Sequence, residues 1–240
     1  MTLYEERVLQ ELTLWKHKMT RRPSIFSRLS SGLQKKMNSY IPEKVHQTIT
    51  TIIKQMIRGV LFGARYTTKA QAIQYSLPET EIAVRKLINT YKHTAAAEGG
   101  ITGAGGLLLG LSDFPIFLSI KLKMLFDIAS RYGYDVKDYK ERVYILHIFQ
   151  LAFSSQKYRR EVFEQMTNWE EKKTLLPEDI HQFDWRNFQQ EYRDYIDLAK
   201  LGQLIPGVGA VIGYIANYRL VNHLGKTAMN AYRMRKFEKD

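Results

Sequence analysis

GGITGAGGLLLGLSDFPIFLSI at residues 99–120 and LGQLIPGVGAVIGYIANY at residues 201–218 decide how this chain of 240 residues folds. Asp113 is the only charged residue of the first segment, and the second segment has none. Each segment approaches the roughly 20 residues that a membrane-spanning helix needs. Prolines at 115 and 206 interrupt them, however, and a mean hydropathy of −0.33 argues against a protein with several spans.

Both segments repeat glycine at intervals of four residues, which places the glycines on one face of a helix. A glycine costs about 1 kcal/mol relative to alanine inside a helix, and close helix–helix contact is a reason to keep it. We therefore predict two glycine-rich apolar helical hairpins that pack together through Gly103, Gly106, Gly110, Gly209 and Gly213. A Gly-Xaa-Gly motif recurs at an offset of 104 residues, which an internal duplication and a chance match both explain.

Apolar residues recur every three to four positions along most of the chain, which is typical of α-helices. No run of alternating β-branched residues long enough for a sheet is present. The predicted fold class is therefore all-α, a single helical domain. The predicted helices cover residues 2–20, 24–39, 43–65, 79–97, 113–132, a stretch that begins at 138, 155–172, 184–204 and 209–237.

Two of these helices carry recognisable end signals. Gly133 suits the position just after a helix, where the backbone turns left-handed. Asp138 and Glu141 have the spacing of a capping box, in which the first side chain caps the helix and the second bonds back.

The net charge of +12 is concentrated at the two ends of the chain. Residues 1–70 hold 13 Lys and Arg against 4 Asp and Glu, and residues 219–240 hold 6 against 2. Residues 71–218 are close to neutral, with 17 against 18. We divide the chain into a basic amphipathic helical N-terminal region at 1–70 and a helical core at 71–240. Basic ends suit an anionic lipid surface or a nucleic acid, and they also keep a soluble protein solvated.

The N-terminal region contains one candidate for an interfacial helix. Residues 24–39 set Phe26 and Met37 on an apolar face against a basic polar face, a profile found in helices that lie on membranes. A surface helix docked on the core has the same profile. Glu5 and Glu6 stand where a secretion signal needs basic residues, so we expect a cytoplasmic protein.

Several enzyme and cofactor classes are excluded by what the sequence lacks. With no cysteine, a disulfide scaffold, a thiol nucleophile and a thiolate zinc site are excluded. A dinucleotide fingerprint needs glycine where Leu108 and Ile212 stand, and no phosphate-binding loop or serine-hydrolase elbow is present. The six histidines form no metal-binding pair. We predict no catalytic residues, no cofactor and no metal.

Four polar residues in or beside the glycine-rich segments are candidate contacts to a ligand or partner. Asp113 either caps a helix that begins near Ser112 or makes such a contact, because a carboxylate in apolar surroundings must be compensated. Glu98 is expected to pair with Lys200 if the hairpins pack together. Asn217 is expected to hydrogen-bond to the opposite hairpin.

Three blocks of sequence resemble the EcsC family of bacterial proteins. The first comprises Gly99-Gly-Ile-Thr-Gly-Ala-Gly-Gly, Asp113-Phe-Pro115 and residues 128–135, and the others are residues 200–217 and 228–233. The resemblance covers roughly residues 75–237.

This resemblance implies an accessory role in transport. Genes of the family lie beside those for the ATPase and membrane subunits of an ABC-type exporter, and no enzymatic activity is established for it. We therefore expect a non-enzymatic protein, peripheral at the inner face of the cell membrane. Its expected partners are the anionic membrane surface and the ATPase or membrane subunits of an ABC transporter.

Two alternatives remain open. The first is an enzyme or binding protein for a lipid or other hydrophobic ligand, with Asp113 and Glu98 as acid–base candidates. The second is a helical nucleic-acid binder. The sequence has no recognisable helix-turn-helix or zinc motif, so we do not expect a nucleic-acid partner.

Overall fold

A computed structural model of the chain describes residues 1–21, 43–62, 75–102, 106–154, 158–182, 184, 186, 188 and 210–239. Within these ranges the chain forms eight α-helices and no β-strand, which confirms the all-α prediction. The helices are α1 Leu3–Thr20, α2 Glu43–Phe62, α3 Leu77–Thr102, α4 Gly106–Arg131, α5 Tyr139–Phe153, α6 Arg159–Met166, α7 Trp169–Lys172 and α8 Ala210–Lys239. Two 3-10 turns follow α7, at Lys173–Leu175 and Ile180–Gln182.

The end of α4 follows the predicted signal. Gly133 has a φ of +84°, in the left-handed region that favours glycine. Its N–H donates to the Ser130 carbonyl at 3.0 Å, and the Tyr134 N–H donates to the Ala129 carbonyl at 3.1 Å. This pair of bonds is the Schellman motif, which satisfies carbonyls left open at a helix end.

The start of α5 confirms one half of its predicted signal. The Asp138 carboxylate accepts the Lys140 N–H at 2.8 Å and caps the helix. The capping box does not form, because the Glu141 carboxylate instead accepts two hydrogen bonds from the buried guanidinium of Arg235. Bidentate bonds to a buried cation are stronger than one bond to an exposed backbone N–H.

Two predicted helix boundaries were wrong. The helix expected to begin at Ser112 or Asp113 begins at Gly106, so Asp113 lies inside α4 and does not cap it. The leucines at 107–109 favour helix, and the helix continues through Pro115, which lacks the N–H of the regular ladder. The helix expected at 155–172 is divided into α6 and α7 by Asn168, whose φ is +53°.

Helices α5 and α8 form the centre of the molecule. Thirteen of the fifteen residues of α5 are buried, so this helix is enclosed on all sides. Helix α8 packs most extensively on α3, and it also packs on α5, α4 and α1. Because α5 is buried on all sides, it has no single apolar stripe.

Helices α3 and α8 run antiparallel. The Lys92 ammonium group lies 3.2 Å from the Tyr218 hydroxyl, and toward the other end Arg233 pairs with Glu81. The start of α8 therefore lies beside the end of α3. Because only three residues separate α3 from α4, the start of α4 lies there too. We call this region, where α3 ends and α4 and α8 begin, the glycine-rich end.

Helices α5 and α8 are also antiparallel. The Tyr144 hydroxyl donates to the Ala231 carbonyl at 2.9 Å, and His223 Nε2 lies 3.2 Å from the Ala152 carbonyl. The C-terminal part of α8 is thus enclosed by α3 on one side and by α5 on another.

The N-terminal helices belong to the same core. In α1, Val8, Leu12 and Met19 are buried, whereas Leu3 is 86% exposed. Helix α2 contributes a buried stripe that joins the cluster around α5. The helices predicted at 24–39 and 184–204 lie outside the described residues, apart from positions 184, 186 and 188.

One glycine of α8 permits its close approach to α3. A Cβ atom added at Gly225 would lie 2.8 Å from three side-chain atoms of Ile88. Because these atoms include both Cγ atoms of Ile88, rotation of the side-chain tip alone cannot relieve the clash.

We predict that Gly225→Ala lowers the free energy of unfolding by about 1–2 kcal/mol. Overpacking costs about 1–3 kcal/mol, and the gain in helix propensity of up to about 1 kcal/mol offsets only part of it. Gly59→Ala is the matched control, because Gly59 is a helical residue with no atom within 4 Å of the added Cβ. Urea unfolding should show that variant to be slightly stabilised, and equal gains in both variants would contradict the close contact.

Candidate functional site

Three of the four predicted contact residues lie on helices that converge at the glycine-rich end. Glu98 lies near the end of α3, Asp113 lies in α4 and Asn217 lies in α8, each within about two turns of the helix terminus there. Asn217 is buried, with 1% of its surface exposed. The contacts proposed for these residues stay predictions.

The remaining predicted positions lie either on α4 and α8 or outside the described residues. Lys200, Gly103 and Gly209 lie outside the described residues. Gly106 and Gly110 are within α4, and Gly213 is within α8. Their proposed role in hairpin packing also stays a prediction.

A polar cluster joins α3 to α8 near this end. The Lys92 ammonium group lies 4.7 Å from the centre of the Tyr218 ring, a distance that gives a cation–π contact. The His93 ring meets the same tyrosine edge-on, with centroids 5.8 Å apart. Tyr218 of α8 thus contacts two successive residues of α3.

Both glycine-rich segments expose apolar side chains. Pro115 is exposed on α4, its neighbour Ile116 is 57% exposed, and Ile215 on α8 is 43% exposed. Among the described residues, none of the helices combines the length and the hydrophobicity that a membrane-spanning segment needs.

The strongest polar contacts in the described structure were missed by the sequence analysis. They involve two buried arginines of α8. Arg233 donates from Nε and Nη2 to the two carboxylate oxygens of Glu81, at 2.6 and 2.5 Å. The Tyr4 hydroxyl of α1 donates to the same carboxylate at 2.7 Å, and Arg233 also donates to Glu11 at 3.0 Å.

This environment keeps Glu81 charged. Burial alone would raise the pKa of its carboxyl group, but the hydrogen bonds from Arg233 and Tyr4 outweigh burial and lower that pKa below its usual range. The pair therefore joins α3 to α8 as an ion pair, with α1 covering it.

Arg235 is completely buried on the other side of α8. Its guanidinium donates to both oxygens of Glu141, at 2.5 and 2.8 Å, and also to Glu170. The guanidinium carbon lies 3.8 Å from the centre of the Tyr134 ring and 4.5 Å from that of Tyr144. Although burial disfavours the charge, the bonds to Glu141 raise the pKa of Arg235 above its usual value.

Glu170 completes this second cluster from α7. Its carboxylate lies 2.8 Å from the Lys173 ammonium group. Burial raises the pKa of Glu170, but the hydrogen bonds from Lys173 and Arg235 more than offset it and lower that pKa to about 2.

These contacts correct the predicted charge distribution. Arg233 and Arg235 were counted in a basic C-terminal surface, yet 4% or less of each residue is exposed, and each is paired with a glutamate. Glu81 has helical spacing to the buried Val84 and Ile88, so it lies in their apolar stripe. A charged residue in such a stripe indicates a buried ion pair, and this pattern was visible in the sequence. The partner of Glu81, 152 residues away, had no local signal.

The clusters are suited to holding helices together. Each guanidinium is held by two bonds to one carboxylate, an arrangement that fixes orientation. Among the described residues, no group of three or more His, Asp or Glu side chains is placed to hold a metal ion. We assign a structural role to both clusters.

Comparison with known proteins identifies relatives along almost the whole chain. The model of the EcsC protein family matches residues 6–237, a wider range than the blocks that carried the sequence resemblance. The chain is 47% identical over 229 residues to Protein EcsC of Bacillus subtilis strain 168, covering 95% of this chain and 94% of that protein. It is 27% identical over 248 residues to the uncharacterized protein YdbA of the same strain, covering 95% and 91%. No solved structure matches the chain.

We predict that Arg235→Lys lowers the free energy of unfolding by about 1.5–3 kcal/mol. Lysine keeps the charge but cannot form the bidentate pair or stack between two tyrosines, so hydrogen bonds between buried charged groups are lost. Arg219→Lys is the matched control, because Arg219 is exposed on the same helix. Chemical denaturation measures the difference, and similar stabilities for both variants would contradict the structural role.

The low pKa of Glu170 predicts a dependence of stability on pH. A carboxyl group with a lowered pKa in the folded state stabilises the protein above its unfolded pKa, and this contribution is lost as the pH falls. For Glu170 the loss should extend from about pH 4.5 to about pH 2. Glu170→Gln should therefore flatten the acid limb of the melting temperature profile, whereas Glu171→Gln, at an exposed neighbour, should not. Parallel acid limbs in all three proteins would refute this assignment.

Proposed function

The chain belongs to the EcsC protein family, and from this premise we propose that it is a non-enzymatic accessory protein of an ABC-type transport system. In this proposal it works peripherally at the cytoplasmic face of the membrane, and the glycine-rich end is the part that contacts the lipid. The observation that carries the proposal is the exposure of Ile116 and Ile215 within the two apolar segments.

The register of α3 and α8 supports close packing of the glycine-rich segments. Lys92 faces Tyr218 in an antiparallel pair. Continued by about two turns, the same register sets Gly99 near Gly213. We propose that glycines at this end let the hairpins approach closely and leave apolar side chains to face outward. A small, apolar surface of this kind suits shallow insertion.

The electrostatic part of membrane binding is assigned to the N-terminal region. Residues 1–70 carry a net charge of +9. The C-terminal segment contributes less than its composition suggests, because Arg233 and Arg235 are neutralised inside the protein. A basic region of this kind gains about 1 kcal/mol for each Lys or Arg near an anionic surface.

The chemistry of the described residues supports an accessory role over an enzyme. The charged side chains with the strongest shifts in pKa are those in the two arginine clusters, where each is engaged in an ion pair. A general acid or base must be free to exchange a proton with a substrate. The specific link to an ABC transporter rests on the family resemblance, and it calls for a genetic test.

We predict that the double variant Ile116→Glu with Ile215→Glu binds anionic vesicles about tenfold or more weakly than the wild type. Each change replaces apolar area that would enter the lipid with a charge that the anionic surface repels. Leu175→Glu is the control, because Leu175 is 83% exposed near the opposite end of α8. Vesicle flotation at two salt concentrations is the measurement, and wild-type binding should weaken as salt increases.

Two outcomes would count against the proposal. Equal flotation of the double variant and the Leu175 control would remove the glycine-rich end as the lipid contact. Binding of the wild type to neutral vesicles at high salt, as strong as to anionic vesicles, would remove the electrostatic contribution. In a deletion strain, the double variant should also restore transporter-dependent export less well than the control.

A further inference from the structure

Five residues form a band of polar contacts across α4, α3 and α8. The Tyr91 hydroxyl of α3 donates to the Asp127 carboxylate of α4 at 2.7 Å, and the Lys123 ammonium group bonds to the same carboxylate. The next residue of α3, Lys92, has its ammonium group 3.2 Å from the Tyr218 hydroxyl of α8. Because these contacts connect the three helices in one continuous chain, they mark one level of the molecule. We call the five residues the polar belt.

The exposed surface changes its chemistry at the polar belt. His93 packs on Tyr218 and lies at the belt itself. Beyond it, toward the glycine-rich end, the described side chains of α3, α4 and α8 that are exposed carry no charge. These exposed residues are Thr94, Ala97, Pro115, Ile116, Ser119 and Ile215. On the other side of the belt, the charged residues Lys86 of α3 and Lys226 of α8 are exposed.

The lengths of the helices beyond the belt suit a shallow insertion. Helix α8 extends eight residues from Tyr218 to its start, and α3 extends ten residues from Lys92 to its end. At 1.5 Å per residue these segments are about 12 and 15 Å long. Half of the hydrocarbon core of a bilayer is also about 15 Å thick. Glu98 and Asp113 lie within this part of α3 and α4 and limit how far it enters, since a charge in hydrocarbon is unfavourable.

Two cations at the level of the belt are available to a partner. Lys123 already has the Asp127 carboxylate as its partner. Within the described part of the chain, no carboxylate pairs with Lys92 or with Arg219. Arg219 follows Tyr218 in the sequence and is exposed. An anionic group that reaches this level therefore meets two positive charges that the protein does not neutralise.

The order of layers along the helices favours a membrane as the partner. Ile215 lies one turn from Arg219, and both are exposed, so apolar contact and positive charge are adjacent on α8. Tyrosine is enriched where hydrocarbon meets head groups, and lysine and arginine extend their charges from there toward the phosphates. A nucleic acid also offers phosphates, but its surface has no hydrocarbon layer for the exposed isoleucines.

We infer that the polar belt lies at the level of the lipid phosphates when the protein binds a membrane, with Lys92 and Arg219 donating to phosphate oxygens. This inference rests on the proposed function, and it adds the chemical group that is recognised and the depth of binding. Ile116 and Ile215 then contact the acyl chains below the phosphates, and Lys226 lies in water.

The depth is measured with single cysteines, which can be labelled specifically because the chain has no cysteine of its own. Ile116→Cys, Ile215→Cys and Lys226→Cys each receive a nitroxide label. The collision rates of the label with oxygen and with a water-soluble nickel complex give its distance from the phosphates. On vesicles of phosphatidylglycerol and phosphatidylcholine, we expect the labels at 116 and 215 below the phosphate level and the label at 226 above it.

A charge variant tests the phosphate contact. Arg219→Gln should weaken binding to the same vesicles about threefold to tenfold, the range expected for the loss of one cation at an anionic surface. Lys226→Gln is the matched control, because it removes one positive charge about 10 Å farther along the exposed side of α8. Screening over that distance should limit its effect to less than about twofold. Both residues are exposed, so neither change should alter the melting temperature.

The outcomes separate this inference from the proposed function. If the wild type does not float with anionic vesicles, or if the labels at 116 and 215 stay in water on the bound protein, both are wrong. If those two labels enter the hydrocarbon together with the label at 226, the belt is not at the phosphate level and only the inference is overturned. Equal loss of binding in Arg219→Gln and Lys226→Gln would also overturn the inference alone.

Discussion

The neutralisation of two buried guanidinium groups on α8 is the constraint on which the arrangement of the other helices depends. Arg233 and Arg235 are two residues apart, so they point to nearly opposite sides of the helix. One meets Glu81 of α3, and the other meets Glu141 of α5. Because an unpaired charge in the interior is strongly unfavourable, α8 can be buried only when both neighbours are in place.

The same constraint includes the N-terminal helix in the core. The Glu81 carboxylate accepts a bond from Tyr4, and Arg233 reaches Glu11, so α1 completes a cluster that α3 and α8 begin. Apolar contacts also hold α1 in the core. The Trp15 ring packs edge-on against the Phe163 ring, with ring centroids 5.5 Å apart. A helix that begins at the third residue is thus fixed by partners from distant parts of the chain.

Local sequence patterns predicted those features of the fold that depend on neighbouring residues. Periodicity identified α1, α2 and α8, and Gly133 identified the end of α4, because each depends on residues within a few positions. The pairing of Glu141 with Arg235 joins residues 94 positions apart, so no local pattern indicated it. The spacing of Asp138 and Glu141 had predicted instead that Glu141 belongs to a capping box. Asp113 was considered as the cap of a helix that begins near Ser112, yet the leucines before it extend the helix.

The length of α8 gives the molecule two ends of different chemistry. Its thirty residues extend about 45 Å. The C-terminal part of α8 is held by ion pairs and aromatic rings. These contacts have a defined geometry, so they are either formed or broken. The N-terminal part has small and apolar residues, whose packing depends on close approach. The exposed isoleucines lie toward the second of these ends. The lipid contact that we propose therefore lies at the end of α8 opposite to its two buried ion pairs.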